Sequence, residues 1–167
     1  RQRQLCIRDR SNSFRAQSRP DLAIDAATKA VEADSSFAPA YVELSQVNAR
    51  KDPPDYVRAA NLAKEATGLQ NDWETWWNCA DVFYIWAHAS NREIQSMLRS
   101  GQTPPVNLVD ERNSTLSNAG IAVNNAASIL PQGERDAAKK VMVTQGMIAY
   151  LRALTIPEPA NPGVTEG

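Results

Sequence analysis

Few side chains in this 167-residue chain are arranged for covalent chemistry, and each has a plainer role. His88 is the single histidine, so a His-pair metal site has no second ligand, and no cysteine stands near it in sequence to make a nucleophile and base. Cys6 and Cys79 are too few and too far apart for a disulfide scaffold or a thiolate metal site. Both fall in helical pattern, where a free cysteine behaves as a small buried apolar residue. Asp110 and Glu111 are adjacent acids suited to the first turn of a helix, where carboxylates favour the positive dipole end. Gly120, Gly133 and Gly146 are isolated, so no glycine-rich loop can cradle a phosphate. These residues predict no catalytic group, no cofactor and no metal, and a chain that is not an enzyme.

Charge narrows the partners. The formal net charge of -1 argues against nucleic acid as the main partner, because phosphate binding needs a surplus of Lys and Arg on one surface. Six arginines (Arg1, Arg3, Arg8, Arg10, Arg15 and Arg19) face one acid, Asp9, in the first twenty residues, leaving +5 there and −6 over the rest. This basic stretch reads as a solvated helix face paired with neighbouring acids rather than as an RNA or membrane contact. The longest apolar stretch, Cys79 to Ala89, is interrupted by Asp81 and His88 and falls short of the roughly 20 residues of a bilayer span. No transmembrane segment is expected in this fragment. The chain begins at Arg1 without an initiator Met or signal-peptide pattern and reads as excised, with any targeting segment or anchor lying upstream.

The elements that must position any site are helical. Ala23, Ala27 and Ala30 recur thirty-six residues later as Ala59, Ala63 and Ala66, and Tyr41 recurs as Trp77 at the same spacing. Small residues three and four apart share one helix face and admit a second helix closely, while a large residue on the next helix fills the remaining space. Such a unit buries its apolar face only by stacking on a copy of itself. Strand alternation is absent, and the pattern predicts seven helices. The first runs from about Gln4 to Gln17, with Leu5, Ile7 and Phe14 as contacts. The second starts at Pro20, suited to a first turn, and reaches about Asp34. The third carries Tyr41, Leu44 and Val47 and ends at "KDPPD". The fourth carries Tyr56, Ala59, Leu62, Ala63 and Ala66 and stops at Gly68 as its cap. The fifth opens at an N-cap, Asp72, with Glu74 in its first turn, and has no breaker before "SGQTPP", so it extends to Arg99. The sixth spans about Val109 to Leu130 and the seventh about Glu134 to Leu154; the tail 155–167 has three prolines and reads as disordered.

The run from Pro20 to Val47 resembles the second helix of one tetratricopeptide repeat passing into the first helix of the next. Ala23, Ala27 and Ala30 match the family's small-residue ladder and Tyr41 its aromatic, while Ser35 stands where Pro is usual and Leu44–Ser45 replaces Leu-Gly. A second copy matches by Tyr56, Ala59, Ala63, Ala66, Trp77 and Tyr84, with Asn71 for Pro and Ala80–Asp81 for Leu-Gly; a third by Ala119, Val123, Ala126 and Pro131. The resemblance implies an all-α fold, about three and a half repeats of antiparallel helix pairs in a right-handed superhelix, with residues 1–154 as one domain. Its 36-residue spacing fits the usual repeat of about 34 with two residues added at "KDPP".

In that family function means holding a protein or peptide in the concave groove lined by the first helix of each repeat. The positions this implies are Arg8 and Asn12, Val42 and Gln46, then Thr75, Asn78, Val82 and Trp86 on the fifth helix. Trp buries a large area at small entropic cost, and Asn pins a peptide backbone. Trp77 takes the family's core position and is expected to pack. One mode of the family grips a peptide's terminal carboxylate with Lys, Asn and Arg; here Val42, Glu43 and Cys79 remove the later charges, so no such clamp is expected. Ser90 to Ser117 departs from the repeat and is expected to project from the stack, as a lid or a partner surface with Met97 and Leu98 as anchors. The last helix has polar and apolar faces and can cap the array; failing that, its apolar surface invites self-association. A second reading makes the fragment a soluble accessory domain of a bacterial membrane protein, such as a surface-glycan polymerase or ligase, with catalysis elsewhere. The compartment is not named by these residues; a cytoplasmic setting is favoured over membrane attachment through upstream sequence.

Overall fold

The structure, a computed structural model, describes residues 19–154 and Ile156. The helix expected from Gln4 to Gln17, with Cys6, Arg8 and Asn12, lies outside the described residues, and so does the tail apart from Ile156. Among the described residues there are six helices and no strand: α1 (Pro20–Ala33), α2 (Ala38–Arg50), α3 (Tyr56–Leu69), α4 (Trp73–Arg99), α5 (Val106–Ser128) and α6 (Arg135–Ala153). The chain is all-α.

Local chemistry accounts for most helix ends. Pro20 opens α1 where an N–H would have no intrahelical partner, and Asp34 ends it, its carboxylate accepting from the Ser36 backbone N–H at 2.9 Å. Asp55 caps α3 by accepting from the Arg58 backbone N–H at 3.0 Å, and Asp72 caps α4 by accepting from that of Thr75 at 2.8 Å. Gly101, at φ 73°, stops α4: its N–H donates to the Leu98 carbonyl and the Gln102 N–H to the Met97 carbonyl, a pair of bonds that requires a left-handed residue between them.

Two boundaries differ from expectation. Gly68 does not cap α3; it lies in the last turn, and the chain leaves the helix at Gln70 in an extended conformation. The helix α5 starts at Val106, where Pro105 holds an extended conformation before it. That start moves Asp110 and Glu111 out of the first turn, and Glu111 instead accepts from the Ser90 hydroxyl of α4 at 2.7 Å.

Packing puts α4 at the centre of the described helices. Each helix contacts its neighbour in the chain, and α4 also contacts α2 and α6; α1, α3 and α5 make no such second-neighbour contacts. The alanine ladders are buried as their spacing requires: Ala23, Ala27 and Ala30 on α1, and Ala59, Ala63 and Ala66 on α3. Ala59 and Ala63 share one core cluster with Ala80 and Phe83 of α4 and Leu116 and Val123 of α5.

The departure at Ser90 to Ser117 is built into the packed helices. It is the shared end of α4 and α5, whose mutual contact is the most extensive between any two helices described. Ser90, Asn91 and Ile94 on α4 and Arg112, Thr115 and Leu116 on α5 are buried, while Met97 and Leu98 are only half-buried. The far end of α6 is clamped to this hairpin. The buried Arg112 guanidinium donates to the backbone carbonyls of Leu151 and Leu154, placing a cation at the negative end of the helix, and Arg152 donates to the Leu116 carbonyl at 3.0 Å. Gly120 leaves room for the Arg152 guanidinium, which a Cβ at that position would meet.

Candidate functional site

The face formed by α2, α4 and α6 contains two unlike regions. Between α2 and α4 the space is closed by a polar network. Gln46, only 4% exposed, donates from its amide to the Asn78 carbonyl oxygen at 3.0 Å and to an Asp81 carboxylate oxygen at 3.3 Å. Arg50 bonds the Gln46 side-chain oxygen and pairs with Asp81 at 2.5 Å. Asn78 donates its own amide to the Glu74 backbone carbonyl at 2.8 Å. Each polar end of Gln46 and Asn78 thus makes at least one hydrogen bond within the protein, and Asn78, half-buried, keeps one further donor and one further acceptor position.

Between α4 and α6 the surface opens into a groove of about 550 Å³. Its walls are Trp77 and Tyr84 from α4 and Lys140, Val143, Thr144 and Met147 from α6. The Trp77 indole N–H donates to the Thr144 hydroxyl at 3.0 Å, and that hydroxyl donates to the Lys140 carbonyl at 3.0 Å, which fixes the ring against α6. The Lys140 ammonium lies 5.2 Å from the Trp77 ring centre and 6.0 Å from that of Trp73, within cation–π range. Burial pushes the Tyr84 phenol above its ordinary pKa, and the Asp81 charge adds to the effect, so Tyr84 keeps its proton at neutral pH. On α6 the apolar side chains remain uncovered: Val143 is 52% exposed, Met147 39% and Tyr150 66%, at spacings of four and three residues on one stripe.

No family model matches the sequence, and no curated protein does. The site is therefore read from its own geometry.

The residues expected from the sequence are divided by that geometry. Arg8 and Asn12 lie outside the described residues. Gln46 and Asn78 meet, and Val42 stands half-buried on the same helix as Gln46. Thr75 is buried in the first turn of α4, and Val82 is 0% exposed in the core cluster. Trp86 faces α3, stacked on Tyr56 with ring centres 6.1 Å apart and planes 11° apart. It lines the gap between α3 and α5 together with Val57 and Ser114.

The groove residues that sequence reasoning passed over are Trp77 as a wall, Tyr84, Lys140, Val143 and Met147. Trp77 does pack against the core cluster, but it is only half-buried and also lines the groove. The signal was present: Trp77, Asp81 and Tyr84 fall at i, i+4 and i+7, as do Val143, Met147 and Tyr150.

Among the described residues Cys79 is the one cysteine, and it is buried. Burial pushes the Cys79 thiol up to about 11, against a partial downward pull from Lys64, so it stays protonated at neutral pH. His88 is exposed, its ring tilted against Tyr84 at 5.9 Å. Among the described residues no three His, Cys, Asp or Glu side chains stand close enough to hold a metal ion, and no helix is long and apolar enough to cross a membrane.

Proposed function

We propose that this chain is a non-enzymatic interaction module, a right-handed solenoid of degenerate tetratricopeptide-like helix pairs that holds a protein or peptide on its α2, α4 and α6 face. Support for the solenoid reading comes from the buried alanine ladders at a constant spacing and from the contacts of α4 with both α2 and α6. In such a stack the first helices of successive pairs share the inner face, which here would be α2, α4 and α6.

The observation that carries the binding reading is the α4–α6 groove, where aromatic walls and uncovered Val143 and Met147 stand beside charged and hydroxyl groups. An apolar concavity with a few convergent polar groups is the usual form of a binding site. The partner site accordingly moves from the closed α2–α4 region toward Trp77, Tyr84, Val143 and Met147.

A peptide selected from a displayed random library against the full chain, with affinity read by titration calorimetry, tests this. Val143→Glu and Met147→Glu place charge on exposed positions and are expected to weaken binding at least about tenfold, a loss of about 1.4 kcal/mol, without changing the circular dichroism spectrum. Trp86→Ala is expected to leave affinity unchanged. Loss on Trp86→Ala with no effect of Met147→Glu would transfer the site to the gap between α3 and α5.

A further inference from the structure

The outer face of α6 is built like the faces that other helices cover. We propose that it packs against the same face of a second copy of this chain, with the two α6 helices crossing antiparallel at Gly146 to form a symmetric dimer. Met142, Gly146, Ala149 and Tyr150, which centre this face, are not among the walls of the α4–α6 groove, so the contact stands or falls apart from the peptide site.

The composition of the face comes first. From residue 142 to 153 every exposed position is apolar or small except Arg152, which turns away to donate to the Leu116 carbonyl. Met142 is 68% exposed and Tyr150 66%, and between and beyond them Gly146, Ala149 and Ala153 run at spacings of three and four. The comparable small-residue ladders of α1 and α3 are buried, whereas this one is exposed. Gly146 has no purpose inside the monomer: a Cβ there would meet nothing within 4 Å, and the residue is not left-handed. A glycine in mid-helix costs helix stability, and its use on such a face is to let another backbone come close. The uncovered apolar surface is on the order of 500 Å² per copy, large for a monomer and below the ~800 Å² per partner of a standard interface, which fits a dimer with a Kd of about 10–100 µM.

Shape and charge point to a second copy as the occupant. A two-fold axis at Gly146 sets Met142 opposite Tyr150 of the second copy and Val143 opposite its Ala149, a thioether beside a ring and a branched side chain over a small one. Charge selects the direction. Arg135, Lys139 and Lys140 stand in the first two turns of α6 with one acid, Asp136. Parallel packing would set these cations against their own copies. Antiparallel packing separates Lys139 from its copy by about 21 Å of helix and brings it toward the negative end of the other α6. Such a two-fold contact is closed, so assembly stops at two copies.

Sedimentation equilibrium of the full chain from about 1 to 300 µM reads the association, and a monomer–dimer equilibrium is expected. A monomer throughout, or growth beyond two copies, overturns the proposal; a monomer whose Met142 resists oxidation would assign the face to another part of the same chain. Met142→Glu and Ala149→Glu are each expected to weaken association at least about tenfold with an unchanged circular dichroism spectrum. Gly146→Leu separates interface from fold. It replaces a poor helix former, so the thermal midpoint of a dilute sample should rise while the dimer is lost. Association as strong as the parent's in these variants overturns the proposal. Direction is read by cysteine pairing in a Cys6→Ser background, Cys79 being buried. Gly146→Cys is expected to give a covalent dimer on mild oxidation and Lys139→Cys none; pairing at both sites would mean parallel helices and pairing at neither a contact elsewhere, and each overturns the antiparallel crossing.

Discussion

The region between α2 and α4 and the region between α4 and α6 are built on the same helix, yet one is shut and the other open. On the α2 side, Gln46, Arg50, Asn78 and Asp81 satisfy one another at 2.5 to 3.3 Å. On the α6 side, Trp77 is fixed by one hydrogen bond to Thr144, and the neighbouring Val143 and Met147 keep much of their surface in water. The difference teaches that the stacking of helices sets where a groove runs, whereas the side chains set whether it is filled. Short polar residues that pair across the gap close it. An aromatic wall facing an uncovered apolar stripe leaves it open.

The largest expected effect contrasts the open groove with the alanine core on the opposite side of α4. Ala63→Leu forces extra volume into a fully packed ladder and is expected to cost about 1–3 kcal/mol, while Val143→Leu on the open side changes stability by less than about 0.5 kcal/mol. Urea unfolding followed by circular dichroism reads both, and equal losses would mean that the groove is as tightly packed as the ladder.

A smaller effect concerns the start of α4, the wall common to both regions. Asp72→Ala removes an N-cap and is expected to cost about 1 kcal/mol at neutral pH. Burial raises the Asp72 pKa, but hydrogen bonds from Thr75, Gln70 and Glu74 outweigh it and leave the carboxyl below its ordinary 3.8. A carboxyl depressed in the folded state stabilises fully above its unfolded pKa and loses that contribution as pH falls through the folded value. The parent and Asp72→Ala should therefore converge in stability below about pH 4 and separate above it; a constant difference from pH 2 to 7 would rule this out.

The smallest effect sharpens the closed side itself. Arg50 and Asp81 form a short pair, but Arg50 is well exposed, so a double-mutant cycle with Arg50→Ala and Asp81→Ala is expected to give a coupling of only about 0.5–1 kcal/mol, reduced by salt. A coupling near zero would assign the closure of this region to Gln46 and Asn78 alone.

Much of this was legible from residue order. The alanine ladders, Pro20, Asp72 and the long uninterrupted run to Arg99 each act within one or two turns, and each stands where its chemistry requires. Gly68 misled because a glycine caps a helix only when the backbone turns left-handed there; Gly101 does so and Gly68 does not. Thr75, Asn78, Val82 and Trp86 lie in different surroundings. They were chosen by spacing, but each residue turns about 100° around the helix axis, and a small rotation of α4 sends Val82 into the core and Trp86 onto Tyr56.

What the sequence determined by itself was therefore periodic and local: an all-helical chain, the burial of its small-residue faces and several helix ends. What only the tertiary structure decided was which side of α4 faces α2 and which faces α6. That choice depends on contacts between residues more than thirty positions apart, such as Gln46 with Asn78 and Trp77 with Thr144, which no local spacing encodes.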